Sequence, residues 1–305
     1  MHHFMPSLIL ACGVFATFAS PAVATETTAA AANVKITTDR VYGSIAGVEL
    51  LCDIYTPAAG YAVGKRPVVL LIHGGAWSAG SRRTMAGHAM RLARAGIVGI
   101  AIDYRLAPAW KFPAQLDDVR AAMVWAADNA EELGIDPARM GLFGYSAGGH
   151  LACMIGTLVD EPENTQMATT DWQRDDPRLA RLPQPLAICA GGPPCDLSEL
   201  AVGSNGLAFF LGGSPTELPE VYRAASPVSH ASAGDTPTLY IHGERDAIVP
   251  LQNSKSLYRA QRQAGVPSEF LMIPQQGHIV TFVNPKAKDA MVEFFDKWFN
   301  QESPL

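Results

Sequence analysis

A serine, a carboxylate and a histidine follow one another along this 305-residue chain in an order that suits acyl transfer. Gly144-Tyr145-Ser146-Ala147-Gly148 has the spacing G-x-S-x-G. The apolar stretch Met140–Phe143 before it reads as a short strand, and Leu151–Val159 after it as a helix. Ser146 is therefore expected on a sharp strand-to-helix turn. Gly144 and Gly148 leave out side chains that would collide in such a turn, and the helix start points N–H groups at developing negative charge. A serine hydroxyl attacks poorly until a base takes its proton. Of the eight histidines, His2 and His3 lie in the N-terminal segment, His73 and His242 end strands, His88 and His150 fall in helices, and His230 lies in a long connection. His278 follows the last strand, in Pro274-Gln-Gln-Gly-His278, at the carboxyl edge where parallel-sheet sites assemble. The orienting acid is expected between Ser146 and His278. Asp246, in His242-Gly-Glu-Arg-Asp246, fits best, with Asp196 as a rival after the preceding strand and Glu244 as a neighbour. Asp246 is too far upstream of Leu251 to act as that helix's cap.

Acyl transfer also needs donors for an oxyanion. The strand Pro67–Ile72 runs into His73-Gly74-Gly75-Ala76-Trp77, and the N–H groups of Gly74 and Gly75, beside that of Ala147, are the expected donors. An ordinary glycine turn is the plain alternative. His73 reads as a structural hydrogen-bonding residue. Trp77 and Tyr145 are candidate substrate-binding side chains, as is Trp110, with core or rim packing equally open for each. No set of metal ligands is expected.

These residues need a scaffold. Strands are expected at Val34–Thr38, Val48–Tyr55, Pro67–Ile72, Ile97–Ile102, Met140–Phe143, Leu186–Ala190, Thr238–His242 and Phe270–Ile273, with a turn near Gly43. Helices are expected at Met85–Ala95, from Pro113 to a stop at Leu133-Gly134, and at Leu151–Val159, Leu251–Ala264 and Ala287–Phe299. Alternation of the two implies an α/β fold with one mostly parallel sheet of about eight strands flanked by helices. Residues 161–185 and 193–237 break the alternation, and the second stretch, with a helix expected near Glu217–Ala225, is expected to roof the site. Hydrophobic residues at 48% and charged residues at 17% are those of a globular chain. The formal net charge of −6, without runs of either sign, excludes a basic nucleic-acid or membrane-surface footprint.

Residues 1–24 carry no Asp, Glu, Lys or Arg. Leu8–Ala19 is apolar, Ser20-Pro21 breaks it, and Ala22-Val23-Ala24 offers small residues for cleavage. This pattern reads as a signal peptide, although only His2 and His3 stand where basic residues usually do. Export to the periplasm or the medium is the expectation, with no stable membrane insertion after the leader is removed. Residues 25–45 read as an N-terminal arm and 46–301 as the catalytic domain. Cys12 would leave with the leader. Cys189 and Cys195 bracket a short loop that a disulfide could close, whereas Cys52 and Cys153 read as inert buried thiols.

Taken together, His73-Gly-Gly-Ala-Trp77, Asp103-Tyr-Arg-Leu-Ala-Pro108, Phe112-Pro-Ala-Gln-Leu-Asp-Asp118, Gly144-Tyr-Ser-Ala-Gly-Gly149, His242-Gly-Glu-Arg-Asp246 and Gly277-His278 resemble the α/β-hydrolase esterases. The likeness is to the acetyl-xylan or feruloyl esterase-like and hormone-sensitive-lipase-like groups, over roughly residues 48–299. It implies a single-domain α/β-hydrolase fold, Ser146, Asp246 and His278 as a catalytic triad, and no cofactor. It implies a small-molecule or polysaccharide-linked ester as substrate, with short acetyl or aryl acyl groups. The H-G-G-A-W motif lacks the third glycine usual in the lipase-like members, which favours the acetyl-xylan or feruloyl branch. The N-terminal segment is short for the helical cap of the lipase-like members, so an open cleft is expected. Asp103-Tyr104-Arg105 is expected to fix the loop after its strand. Two other readings remain: a kynurenine formamidase-like amide hydrolase using the same triad, and a hydrolase-like binding protein without catalysis.

Overall fold

The computed structural model describes residues 34–58, 65–200 and 205–301. The leader, Cys12 and residues 25–33 of the arm lie outside these. Eight strands form one sheet: β1 (Val34–Ile45), β2 (Val48–Pro57), β3 (Arg66–Ile72), β4 (Val98–Ile102), β5 (Ile135–Tyr145), β6 (Ala187–Gly191), β7 (Thr238–Gly243) and β8 (Glu269–Ile273). Their order is β1-β2-β4-β3-β5-β6-β7-β8. β1 and β2 pair antiparallel, as do β2 and β4, and every later neighbour is parallel. The principal helices are α1 (Ala86–Arg94), α2 (Ala114–Asp128), α3 (Ala147–Thr157), α4 (Leu251–Gln263), α5 (His278–Val283) and α6 (Pro285–Phe299).

The central strands are apolar at successive positions because both faces are covered. Val68, Leu70 and Ile72 pack with Leu116, Val119 and Met123 of α2 and with Leu151 of α3 on one face. Val69 and Leu71 pack with Ala89 and Leu92 of α1 and with Phe295 of α6 on the other. A fully buried Leu or Ile contributes about 1.5–3 kcal/mol, so this run anchors the sheet. All six parallel strands, β3 to β8, deliver their carboxyl ends, and the loops that follow them, to one edge.

Several element boundaries differ from the sequence expectation. Residues 34–45, assigned to the arm, belong to the sheet as β1. The hairpin turn falls at Ala46 and Gly47, whose φ values of 49° and 80° suit a two-residue turn, and Gly43 instead marks a register shift within β1. The helix expected to run to Leu133 ends at Asp128 and resumes as a separate turn, Ala130–Leu133, which Gly134 terminates in left-handed geometry. α3 starts at Ala147, directly after Ser146, and His278 begins a helix where a loop was expected.

The four described cysteines are free and buried. A Cys189–Cys195 bridge does not form, because the chain leaves β6 at Gly191 and carries the two thiols into different core clusters. Cys189 packs into the cluster containing α1 and α6, whereas Cys195 packs into the opposite cluster with Cys153. No described helix is long and apolar enough to cross a membrane.

Candidate active site

β5 ends at Tyr145 and α3 begins at Ala147, which leaves Ser146 alone to make the turn. Its backbone is left-handed, with φ 55° and ψ −122°, a strained conformation for a residue with a side chain. The turn is held by Ser146 N–H donating to the Gly191 carbonyl at 2.7 Å and by His150 N–H donating to the Ser146 carbonyl at 2.9 Å. The two flanking glycines are required by close approach. A Cβ at Gly144 would lie 2.0 Å from the Gly148 carbonyl oxygen, and one at Gly148 would lie 2.0 Å from that of Ile72.

The loop after β3 presses against this turn. A Cβ at Gly74 would meet the Tyr145 carbonyl at 2.8 Å. The Gly75 carbonyl accepts from the N–H groups of Ser78 and Ala79 at 3.1 and 3.0 Å, which fixes the loop. His73 stacks on Tyr104 at 4.2 Å, and Tyr104 Oη donates to the His73 carbonyl at 3.0 Å. Burial lowers the pKa of His73, against the pull of its bond to the Gly74 carbonyl. This imidazole is a structural element, as its position in the sequence suggested. Arg82 anchors the far end of the loop through Asp53 at 2.8 Å and through Asp103 and Asp39.

His278 and Asp246 meet. His278 Nδ1 lies 2.6 Å from Asp246 Oδ2, while Asp246 Oδ1 accepts from the N–H groups of Ile248 and Val249 at 3.0 and 2.9 Å. Burial opposes the charge on Asp246, but bonds from His242, His278 and Val249 outweigh it and hold the carboxyl below the usual range. His278 Nε2 is buried and bonded to no protein group. Asp196, the rival acid, is committed elsewhere: its Oδ1 accepts from the N–H groups of Ser198 and Glu199 at a short helix start.

Ser146 and His278 share a cleft of about 410 Å³ lined also by Gly74, Gly75, Ala76, Thr84, Tyr145, Ile248, Ile279 and Phe282. Its lining carries no Asp, Glu, Lys or Arg. Tyr145, a candidate substrate-binding residue, lines the cleft and also braces the opposite wall. Its Oη donates to the His278 carbonyl at 2.5 Å, and its ring meets the imidazole edge-on at 5.1 Å. Burial, with the Asp246 charge adding to it, raises the phenol's pKa and keeps it a neutral donor. Tyr145→Phe should lower kcat about 3- to 10-fold, the worth of about one buried hydrogen bond that positions His278. Steady-state kinetics beside a thermal melt would check this, and an unchanged kcat would remove the brace from the argument.

Trp77 is not in the cleft. It is 5% exposed and stacks on Phe210 at 4.3 Å, and its Nε1–H donates to His150 Nδ1 at 3.2 Å. Ala76 and Trp77 have φ values of 50° and 58°, and Trp77 lies in the core cluster containing α2 and α3. Its work is to pin the Gly74–Gly75 loop to α3, whose His150 in turn meets the Ala225 carbonyl at 2.7 Å. Trp110 lies under the Arg105 guanidinium, also outside the cleft. The expected roof is absent from the lining: among the described residues, none from 193–237 takes part. Leu207 and Phe210 of that stretch pack down into the core instead. The walls come from Ile248 and α5, which the sequence reading missed. A second omission is His242, whose Nε2 stands 3.2 Å from Asp246 Oδ2. The four-residue spacing of the two, directly after a strand, was the available signal.

The BD-FAE family model matches residues 52–260. Esterase LipC of Mycobacterium tuberculosis is 31% identical over 232 residues, covering 70% of this chain and 52% of its own length. This chain spans about half the length of the curated relatives it matches first. Among solved structures, a truncated carbohydrate esterase from gut microbiota superposes with TM-score 0.75 at 26% identity, over 88% of this chain and 97% of the other. Propionate-bound esterase 2 of Thermogutta terrifontis gives TM-score 0.69 at 26% identity, over 87% and 93%. Both superpositions cover the eight-stranded scaffold, and with it the α/β-hydrolase fold.

Proposed function

Because the chain belongs to the BD-FAE family of α/β-hydrolase esterases, we propose that it hydrolyses carboxylic esters of short or aryl acids through an acyl-enzyme on Ser146. The observation that carries this reading is the bond of His278 to Asp246 at 2.6 Å, with the other imidazole nitrogen unbonded and Ser146 in the same cleft. In the first step Ser146 Oγ attacks the ester carbonyl and passes its proton to His278 Nε2. The N–H groups of Gly74, Gly75 and Ala147 receive the oxyanion, and one such donor is worth about 10²–10³ in kcat. His278 then returns the proton to the leaving alcohol. Water, deprotonated by His278, attacks the acyl-enzyme and releases the acid. Asp246 holds the imidazole tautomer and stabilises its charged form.

The walls of the cleft support an uncharged ester with an apolar arm. Ala76, Ile248, Ile279 and Phe282 offer contact area and no ionic partner. Ile248 and Ile279 are 62% and 66% exposed, which supports an ester carried on a larger body. A polysaccharide-linked ester is the narrower form of the proposal, and the carbohydrate esterase among the structural neighbours supports it.

The test is a panel of p-nitrophenyl esters from acetate to octanoate, run beside acetylated xylan, methyl ferulate and an N-formyl arylamine. The expected result is highest kcat/KM on the short or aryl esters and little on the amide. Preference for the formyl amide would replace the esterase reading with an amidase one. Failure of a fluorophosphonate to label Ser146 in the wild-type protein would sink the acyl-enzyme altogether.

A further inference from the structure

Asp246 sits between two histidines, and only one of them reaches the cleft. His242, at the end of β7, is fully buried. Its Nε2 faces two oxygens, the Val249 carbonyl at 2.9 Å and Asp246 Oδ2 at 3.2 Å. A nitrogen set against two acceptors must carry the proton. Its Nδ1 lies 2.7 Å from Ser254 Oγ, on the first turn of α4, so the hydroxyl donates to it. The chain of donors is therefore Ser254 Oγ–H to His242 Nδ1, then His242 Nε2–H to the Val249 carbonyl, with Asp246 Oδ2 standing 3.2 Å from the same nitrogen. His278 Nδ1–H approaches the same Oδ2 from the other side at 2.6 Å.

We propose that His242 is a positioning residue for the reaction: its protonated Nε2 edge, held by the Val249 carbonyl 3.2 Å from Asp246 Oδ2, sets the carboxylate rotamer and limits how strongly Asp246 binds the His278 imidazolium. This rests on the acyl-enzyme reading above. A core histidine that merely fills space would need no polar partner beyond the backbone. Here one ring nitrogen stands 3.2 Å from the oxygen that His278 uses, and the other is locked by a second buried side chain. Asp246 Oδ1 is fully engaged with two backbone N–H groups, so Oδ2 alone faces the two imidazoles. Without the His242 N–H edge beside it, that oxygen turns its whole charge on His278. The imidazolium is then held more tightly, and the carboxylate loses one of the contacts that set its plane. The titratable groups facing the pair are His242 from β7 and Tyr145 from β5.

The test compares His242→Leu with His242→Gln, whose amide keeps an N–H of similar reach. Kinetics on p-nitrophenyl acetate across pH are read beside thermal melts and fluorophosphonate labelling of Ser146. In the leucine variant kcat is expected to fall about 10- to 100-fold with KM changed less than about twofold, and the acidic limb of kcat/KM to move to higher pH. The glutamine variant is expected to recover kcat to within about threefold of wild type. An unchanged kcat and pH profile in a folded leucine variant would overturn the proposal. So would equal loss of activity and thermal stability in both variants, because that is the result of packing alone. If the leucine variant does not fold, a glutamine variant with an unshifted acidic limb and near wild-type kcat supports the donor role, and one with kcat as low as Ser146→Ala overturns it. Absence of labelling in the wild-type protein would instead remove the acyl-enzyme reading, which keeps the two failures distinct.

Discussion

Ser146→Ala should lower kcat on p-nitrophenyl acetate by at least ~10⁴-fold while leaving the fold intact. That loss corresponds to about 5.5 kcal/mol of transition-state stabilisation. It follows from removing one oxygen that shares the cleft with His278 and makes no hydrogen bond on which the turn depends. The turn itself is built from backbone: Ser146 N–H to Gly191 and His150 N–H to the Ser146 carbonyl. Alanine keeps both bonds and also keeps the strain, because its Cβ suffers the same left-handed backbone. Ser146→Gly separates the two quantities. A left-handed backbone costs a side-chain-bearing residue on the order of 1–3 kcal/mol, and glycine escapes it, at the expense of greater freedom when unfolded. The glycine variant should therefore be as inactive as the alanine one and should melt above it, by up to about 1 kcal/mol of stability. Paired kinetics and melts measure this. Turnover of the alanine variant within about a hundredfold of wild type would defeat the nucleophile assignment.

The placement of Ser146, His278 and Asp246 together was legible because chain order, strand ends and local glycines all pointed to one edge of one sheet. Apolar runs such as Val68–Ile72 likewise announce strands covered on both faces. What escaped the sequence depends on direction rather than on type. Trp77 follows two glycines, and its residue type is the same for a cleft wall and for a core anchor. Its path to the core goes with the left-handed backbone at Ala76 and Trp77. Cys189 and Cys195 are close in sequence and lie on opposite faces of the sheet. The stretch 193–237 carries apolar residues, as a lid would, yet Leu207 and Phe210 spend them on the core around Trp77 and Phe112. The walls instead come from α5, six residues too short to leave a periodic signal. Its exposed Ile279, Val280 and Val283 look like loop residues in the sequence.

Arg105→Leu should act in the opposite sense, costing stability far more than chemistry. Arg105 and Asp118 form a buried ion pair, with Nε to both carboxylate oxygens at 2.9 Å and Nη2 to Oδ1 at 2.7 Å. The Arg105 N–H adds a third donor to Asp118 at 2.8 Å, and Nη2 also reaches the Ala114 carbonyl at 3.0 Å. This pair ties the loop after β4 to the first turns of α2. Leucine removes the guanidinium and leaves Asp118, which has no exposed surface, with the backbone donor alone. Breaking such a pair from one side costs about 3–5 kcal/mol. At about 2–4 °C per kcal/mol for a domain of this size, the midpoint should fall by roughly 6–20 °C. The pair lies apart from the cleft and touches it only through the loop, where Ala107 N–H donates to the Trp77 carbonyl at 2.9 Å. Well below the midpoint, kcat should therefore fall by less than about tenfold. Replacing Asp118 by leucine as well removes the stranded charge and should restore part of the lost stability, since paired removal of buried ions is often neutral. A midpoint unchanged in the single variant would mean that water reaches Asp118. A single variant as inactive as Ser146→Ala at low temperature would mean that the loop after β4 sets the geometry of Gly74 and Gly75 directly, rather than through the stability of the domain.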